Sequence, residues 1–501
     1  MNPFPSYTVG TRVPDSPHAV CCSLPTLREV IGYEEEDPAI RKHVISGYPR
    51  FVEHTYLRRL AEHVRTELGL QNRTVALAPS KRAVEGLLEF LDCPEAGKRE
   101  WGSIQVVELP QGEDLARKAR RFFQHTGCGL SSREAEDLLV NAGILKERHP
   151  DMDPPGDPET LIRKGLIEAC PEADPDSLLL SRSGMNAFYS AFRAARRVQR
   201  PRGKTVWIQF GWLYLDTIRI LEKFLSPEER CVTLPDAGDT AALEAVFERE
   251  GDLIAGVITE TPTNPLLQTA DLARARELCD RHGTLLLVDP SLTSFYNVDV
   301  MPYADVALHS LTKYFGHHGD LMMGLAAFNT ARGSLVRELH RLAREEHEPP
   351  YHRELRQLAA QIGNARRTVE TINRNTLRVA AYLESHPKIK RLHWACGEAT
   401  SAGYRKLARG PDRPGGILTL DLNMPLAEFY DAAPFVKGPS FGTTFTMMCP
   451  FMYLAHYDLV ARPEGREHLR QQGIDPELVR VSIGTEAAED IIEGFRRALG
   501  E

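Results

Sequence analysis

The residue with the strongest claim to chemistry is Lys313, in the stretch "DVALHSLTKYFGHHGD" from Asp305 to Asp320. A short apolar run ends there in Ser310, Thr312 and a lone lysine, and Gly316 and Gly319 follow. Most lysines lie on surfaces. One held beside hydroxyls at a sheet edge, with its pKa depressed, can form a Schiff base with an aldehyde cofactor. Ser310 and Thr312 fall on one side of an extended chain and offer hydroxyls to an anion, while the glycines let a ligand approach the backbone.

Two other stretches could serve the same ligand. In "SRSGMNAFYSAF", Ser181 to Phe192, Ser183 and Gly184 open an amphipathic helix whose first N–H groups and dipole favour a phosphate, although a plain serine N-cap explains the pattern equally well. In "LLLVDPSLTS", Asp289 ends the most apolar strand of the chain. A carboxylate there is costly unless it meets a cation, and a protonated pyridine nitrogen is such a cation. The alternative is an aspartate that caps the following turn. His317, His318 and Asp320 invite a metal, but adjacent histidines point to different sides and no second ligand cluster has suitable spacing, so no metal site is expected. His456 reads as a packed polar residue.

The elements that must position these residues follow from periodicity. Apolar or β-branched runs at Thr205 to Phe210, Leu253 to Thr259, Thr284 to Asp289, Ala304 to Ser310 and Met323 to Asn329 alternate with helical patterns, one of them opening on Asp271 and closing on Gly283. The predicted fold class is α/β, a mostly parallel sheet covered on both faces, with ligands at the carboxyl ends of the strands. Leu335, Leu339 and Leu342, then Leu355, Leu358 and Ile362, predict one or two long amphipathic helices around the break "EPPYH", bridging to a smaller C-terminal domain. Residues 71 to 170 hold a strand-helix pair, a further strand "SIQVVEL" and the loop "HPDMDPPGDPE".

At 501 residues the chain exceeds what one core usually serves. Its 61 Lys and Arg against 69 Asp and Glu give a net charge of -8, with the basic residues scattered, which argues against nucleic acid or an anionic membrane as the main partner. No apolar run is long enough to span a bilayer, and "MNPFPSYTVG" lacks the features of a secretory signal, so a cytoplasmic location is expected. The nine cysteines follow neither a zinc nor a disulfide pattern and read as reduced thiols, mostly in the core.

These segments together resemble the Cys/Met-metabolism, or transsulfuration, family of pyridoxal-phosphate (PLP) enzymes. The family pattern Ser-x-Thr-Lys-Tyr-x-x-Gly-His-x-Asp is matched at Ser310, Thr312, Lys313, Tyr314, His318 and Asp320, with His317 in place of the glycine. "GYPRF" supplies the Tyr-x-Arg of Tyr48 and Arg50, "YLDTIRIL" aligns Tyr214, "TETPTNPLLQTADL" contains Asn264, and "VRVSIGTEAAEDII" places Arg480. The N-terminal segment through "SGYPRF" and the late "GPSFGTTFTMMCPFMYLAHYDL" are most similar to the long, fungal-type cystathionine γ-synthases. There Ser440 is kept, but Phe445 stands where compact members carry a glutamate that is a plausible contact for the amino group of the incoming thiol substrate.

The resemblance implies PLP fold type I, aspartate-aminotransferase-like, with an arm at 1–70 contacting a neighbouring subunit, an extra α/β insertion at 71–170, a large PLP-binding domain at 171–345, and linking helices with a small α+β domain at 346–501. It implies PLP bound to Lys313, stacked by Tyr214, with its ring nitrogen on Asp289. Its phosphate is met by Ser183, Gly184, Met185, Ser310 and Thr312, and by Tyr48 and Arg50 of a second subunit. Arg480, with Ser440 and Asn264, holds the carboxylate of an amino-acid substrate. The implied assembly is a homodimer, with pairing into a homotetramer left open. The implied reaction is γ-replacement on an O-acylhomoserine with cysteine. A sulfhydrylase, a γ- or β-lyase, another γ-replacement, or a noncatalytic scaffold are the alternatives.

Overall fold

The structure is a computed structural model that describes residues 4–45 and 52–501. In the arm, β1 (Arg12–Val13) pairs antiparallel with β2 (Cys21–Cys22), and the helix Leu27–Glu34 follows with a capping box between Thr26 and Glu29. The segment expected to be an insertion, 71–170, has a three-stranded antiparallel sheet, β3 (Arg73–Ala78), β4 (Gly97–Trp101) and β5 (Ile104–Pro110), with β5 central. The helices Lys81–Leu91 and Glu113–Thr126 pack their apolar residues into one small core with it.

The large domain is a seven-stranded sheet of β6 (Leu178–Ser181), β7 (Val206–Phe210), β8 (Arg230–Leu234), β9 (Ile254–Glu260), β10 (Leu285–Asp289), β11 (Val306–Ser310) and β12 (Gly324–Phe328). Its order is β6-β12-β11-β10-β9-β7-β8, and only β12 runs antiparallel to its neighbours. Alternate residues face opposite sides, and both sides are apolar. Leu286 and Val288 join one core with the helix Leu272–His282, whereas Leu285 and Leu287 join the other with the helices Gly184–Gln199 and Ser334–Glu346. Each of the five expected strands is present, shifted by no more than two residues at either end. The helix at 272–282 has Asp271 as N-cap and a left-handed Gly283 at its end. The helix Pro158–Ala169 places Ile162 and Leu166 in the large-domain core and packs on the helix His352–Ile362.

After β12 two helices, Ser334–Glu346 and His352–Ile362, carry the expected apolar positions on either side of the break, and a third, Ala365–Leu383, follows them. The "EPPYH" prolines end the first, because the ring removes a donor and the residue before it is driven out of helical φ and ψ. The small domain carries a five-stranded sheet of β13 (Ile389–His393), β14 (Ile417–Leu422), β15 (Val436–Lys437), β16 (Met447–Pro450) and β17 (Val479–Ser482), in the order β13-β14-β17-β16-β15. Phe4, Cys22, Leu24, Val30 and Val44 of the arm are buried in the small-domain core of the same chain. Among the described residues no helix is long and apolar enough to cross a membrane, and none of the nine cysteines is in a disulfide.

Candidate active site

The carboxyl ends of the central strands, the loop after β15 and the strand β17 surround one cavity of about 160 Å³. Its floor carries two acids. Asp289 ends β10 and Glu260 ends β9, and they are register partners on adjacent parallel strands. One oxygen of Asp289 accepts the Ser291 N–H at 2.7 Å, the turn-capping bond that a strand-ending aspartate can make. Burial raises the Asp289 carboxyl to about 6, against the hydrogen bonds from Ser291. Burial, and then the charge of Asp289, raise Glu260 well above the usual carboxylate range, although the Tyr214 N–H and Arg480 favour its ionised form. Two buried carboxyls this close cannot both be charged without a cation. A protonated ring nitrogen is a cation of the size and place that this pair lacks.

Lys313 is buried three residues beyond β11. Its Nζ donates to Ser440 Oγ at 2.8 Å and lies 4.7 Å from the ring centre of Phe441. Around it the turn after β6 is packed against the end of β11. A Cβ on Gly184 would lie 2.8 Å from that of Ser310, and one on Gly324 would lie 2.1 Å from the Ser183 carbonyl oxygen, so only glycine allows the three segments to meet. Gly184 and Met185 begin the helix Gly184–Gln199, where N–H groups need acceptors from outside the helix. The Ser183 hydroxyl is already used: it accepts from Asn186 N at 3.0 Å and donates to the Gly127 carbonyl of the insertion at 2.9 Å. The serine N-cap alternative therefore describes its side chain, and what it offers a ligand is its place in the turn. Ser310 and Thr312 both line the cavity, and the Thr312 hydroxyl also bridges to Met323.

Arg480 on β17 is buried at the other side. Nη1 donates to Asn264 Oδ1 at 3.3 Å, Nη2 donates to the carbonyls of Pro439 and Ser440, and the guanidinium lies 5.3 Å and 4.9 Å from the ring centres of Phe441 and Phe451. Tyr214 precedes the helix Leu215–Lys223 and lines the cavity. The structure thus brings together Lys313, Asp289, Tyr214, Ser183, Gly184, Met185, Ser310, Thr312, Asn264 and Arg480 around the cavity, with Ser440 in contact through Lys313. Tyr48 and Arg50 lie outside the described residues.

Several expected neighbours are elsewhere. Phe445 is not among the residues lining the cavity. It packs against the cluster of Val13, Cys21, Val436 and Met447, so it is part of the junction between arm and small domain rather than a wall of the site. The Asp320 carboxylate accepts from Gln357 at 2.5 Å and Gln361 at 2.9 Å, and His317 is buried and held largely neutral by that burial. His456 is packed, accepting from Trp212 Nε1 at 3.3 Å. The residues that sequence reasoning missed are Glu260 and the arm wall, Cys22, Leu24, Tyr33, Glu34, Val44 and Val52. Glu260 stands in the quoted "TETPTNP", but only the β9–β10 register reveals what it faces.

The family model described as Cys/Met metabolism PLP-dependent enzyme matches residues 172–500. An L-2-amino-4-chloropent-4-enoate dechlorinase/desaturase of Streptantibioticus cattleyicolor is 37% identical over 486 residues, covering 97% of each chain. A cystathionine γ-synthase of Neurospora crassa is 27% identical over 628 residues, covering 99% of this chain and 98% of the other. Among solved structures, a cystathionine γ-synthase of Xanthomonas oryzae in complex with cystathionine superposes with a TM-score of 0.58 at 22% identity, over 69% of this chain and 86% of that one.

Proposed function

Because this chain belongs to the Cys/Met-metabolism family of PLP-dependent enzymes, we propose that it acts at the γ carbon of one small α-amino acid, expelling a substituent there by elimination, without a thiol co-substrate. The observation that carries this reading is the scarcity of cations. Among the described residues lining the cavity, Arg480 is the only basic side chain besides Lys313, and much of the remaining wall is apolar: Leu24, Val44, Val52, Phe188, Leu292, Met322, Phe441, Phe451 and Leu454. A γ-replacement with cysteine needs a second place for a carboxylate, and burying one against this wall without a partner costs several kcal/mol. One amino acid with an apolar, activated side chain needs only Arg480. The Streptantibioticus relative is named for such chemistry, since the chlorine in its named substrate sits on the γ carbon.

PLP, when bound, supplies the electron sink that acidifies the hydrogens on Cα and Cβ. Asp289, next to Glu260, would hold the pyridine nitrogen, Tyr214 would lie against the ring, and the first turn after Ser183, with Ser310 and Thr312, would receive the phosphate. Arg480 grips the substrate carboxylate with a planar fork that Asn264 and the carbonyls of Pro439 and Ser440 keep in one orientation. Lys313, as a free amine, would take protons at Cα and Cβ, and the Ser440 hydroxyl accepts from its nitrogen. Phe441 and Phe451 exclude water from the guanidinium, which strengthens its hold on an anion.

The second reading is γ-replacement on an O-acylhomoserine with cysteine, favoured by the near full-length match to the Neurospora cystathionine γ-synthase. Product analysis by mass spectrometry separates the two. Purified, PLP-loaded protein is given a γ-chloro α-amino acid alone, and O-acetyl- or O-succinylhomoserine with and without cysteine. Halide release and an unsaturated or keto-acid product without thiol support elimination. Cystathionine formed only with cysteine, and no halide release, refutes it in favour of replacement.

A further inference from the structure

The arm wall of the cavity contains one acid, Glu34, the last residue of the helix Leu27–Glu34. Its neighbours in the run "EEED" are occupied: Glu35 accepts from the Tyr457 hydroxyl at 2.7 Å, Glu36 pairs with Arg41 at 3.2 Å, and Asp37 caps the next helix. Among the described residues the Glu34 carboxyl has no hydrogen bond or ion pair within contact distance. It lines both the site cavity of about 160 Å³ and a wider one of about 690 Å³, whose walls include the exposed Glu36, Arg117 and Arg120. Leu215, Met322, Leu454 and Ala455 border both cavities as well, so Glu34 stands where the two cavities meet.

The ends of a bound amino acid can be allotted to the walls. Arg480 takes the carboxylate, the strand ends take the cofactor, and the arm wall is left for the side chain. We propose that Glu34 is the acid that protonates the departing γ-substituent, and that the wide cavity is the path by which the product of that step leaves and the proton is restored. This rests on the elimination reading above. In the step, Lys313 takes the Cβ proton, the Cβ–H electron pair becomes the new Cβ–Cγ π bond, and the Cγ–X bond breaks with its pair going to X. X receives the Glu34 proton, Lys313 gives up its proton to solvent and Glu34 takes one back, so the net loss is H–X.

Burial holds the Glu34 carboxyl up at about 8, opposed by Arg41 and assisted by Glu36. Tyr33 on the same helix and Tyr457 across from it face the carboxyl too, both with their phenols raised chiefly by burial and additionally by its charge. Arg219 and Asp458 border the wide cavity. The group is therefore protonated at neutral pH, as a donor must be, and lies close enough to neutrality to be recharged.

The test uses holoenzyme, wild type and Glu34→Gln, with two substrates of one four-carbon skeleton, a γ-thioether and a γ-chloride. A thiolate needs a proton to leave, whereas chloride needs none. The loss of kcat in E34Q is expected to be at least about tenfold greater for the thioether than for the chloride, within the usual range for a general acid. In wild type, thioether turnover falls above about pH 8. Glu34→Asp is expected to recover part of the thioether rate. Independently of turnover, the infrared carbonyl band of a protonated carboxyl is expected at neutral pH in wild type and is missing in E34Q. Equal losses for the two substrates, or no infrared difference, overturn the proposal. Failure of the wild type to release chloride without thiol refutes the elimination reading, and the leaving-group role with it, while the infrared band still reports the proton on Glu34.

Discussion

Replacing Asp289 by asparagine is expected to change the sign of its effect with pH and with cofactor. In the cofactor-free protein Asp289 and Glu260 stand side by side on the cavity floor, and desolvation there raises Asp289 to about 6 instead of 3.8. A carboxyl raised on folding holds its proton more tightly in the folded chain. Its contribution to stability is therefore complete below about pH 4 and is lost as pH rises through about 6. The difference amounts to at most about 3 kcal/mol, reduced by whatever water the cavity admits, since the residue is partly exposed to the space it lines. Glu260 acts in the same direction. Asparagine cannot ionise, and it removes the charge that raises Glu260. Cofactor-free Asp289→Asn is thus expected to be more stable than wild type at about pH 8 by roughly 2–3 kcal/mol, and to lose that advantage at about pH 4. Thermal unfolding of both proteins across this range measures the difference directly, and taking the difference cancels the other titrating groups. With PLP bound the order reverses, because the wild-type carboxylate gains a cation and the variant does not, so the variant binds PLP at least about tenfold more weakly. A stability difference that stays constant across the pH range would refute the reasoning.

Lys313→Ala is expected to abolish turnover and the visible absorbance of lysine-bound cofactor, while far-UV circular dichroism is preserved; retention of that absorbance would mean another lysine carries it. Arg480→Lys keeps a charge but loses the fork held by Asn264 and two carbonyls, which is expected to cost about 1.5–3 kcal/mol, or roughly 10- to 150-fold in kcat/KM, mostly through KM. Arg133→Leu leaves Glu354 buried without its cation and Asp151 with Arg353 alone, and a loss of about 3–5 kcal/mol in unfolding free energy is expected, with faster proteolysis of the 143–157 segment. A loss below about 1 kcal/mol would show that water replaces the guanidinium.

The central strands were legible because each is flanked by helices on both faces, which turns it into a short continuous apolar run. β6 and β8 escaped notice for opposite reasons. β6, "LLLS", is only four residues long, and β8, "RCVTL", is an edge strand with Arg230 and Thr233 exposed and none of its residues fully buried. In the site, Lys313, Asp289 and the turn at Ser183 stand directly after strands or at helix starts, where local pattern marks them. Glu260 acquires its character only from the register of two strands 25 or more residues apart in sequence. Glu34 sits in an acidic run that reads as a solvated face, and its inward turn depends on the arm folding back on the small domain.

The least legible part, the insertion, is joined to the site by charges with no local signature. Arg133, which begins its run in the helix Ser132–Asn141, donates to Asp151 at 2.7 Å, to Glu354 at 3.0 Å, and to the backbone carbonyl of Asp320 at 2.7 Å, seven residues after Lys313. His18 of the arm meets the same helix through Ser132 at 2.9 Å, and Arg353 adds Glu136 and Asp137, each at 2.7 Å. These partners span more than 300 positions, and each ion is buried, so the network holds only if all of its members are present. Its geometric consequence is that the loop from Lys313 to Met323 is fixed from outside by the insertion while the arm wall is fixed by the small domain. A substitution in the network should therefore disturb where the lysine nitrogen sits without touching Arg480. Such a variant is expected to lose kcat and alter the lysine-bound cofactor spectrum at nearly unchanged affinity for a carboxylate inhibitor, whereas Arg480→Lys shows the converse. Parallel losses of both in an Arg133 variant that still folds would mean that the insertion acts on the site as a whole, not through the lysine loop.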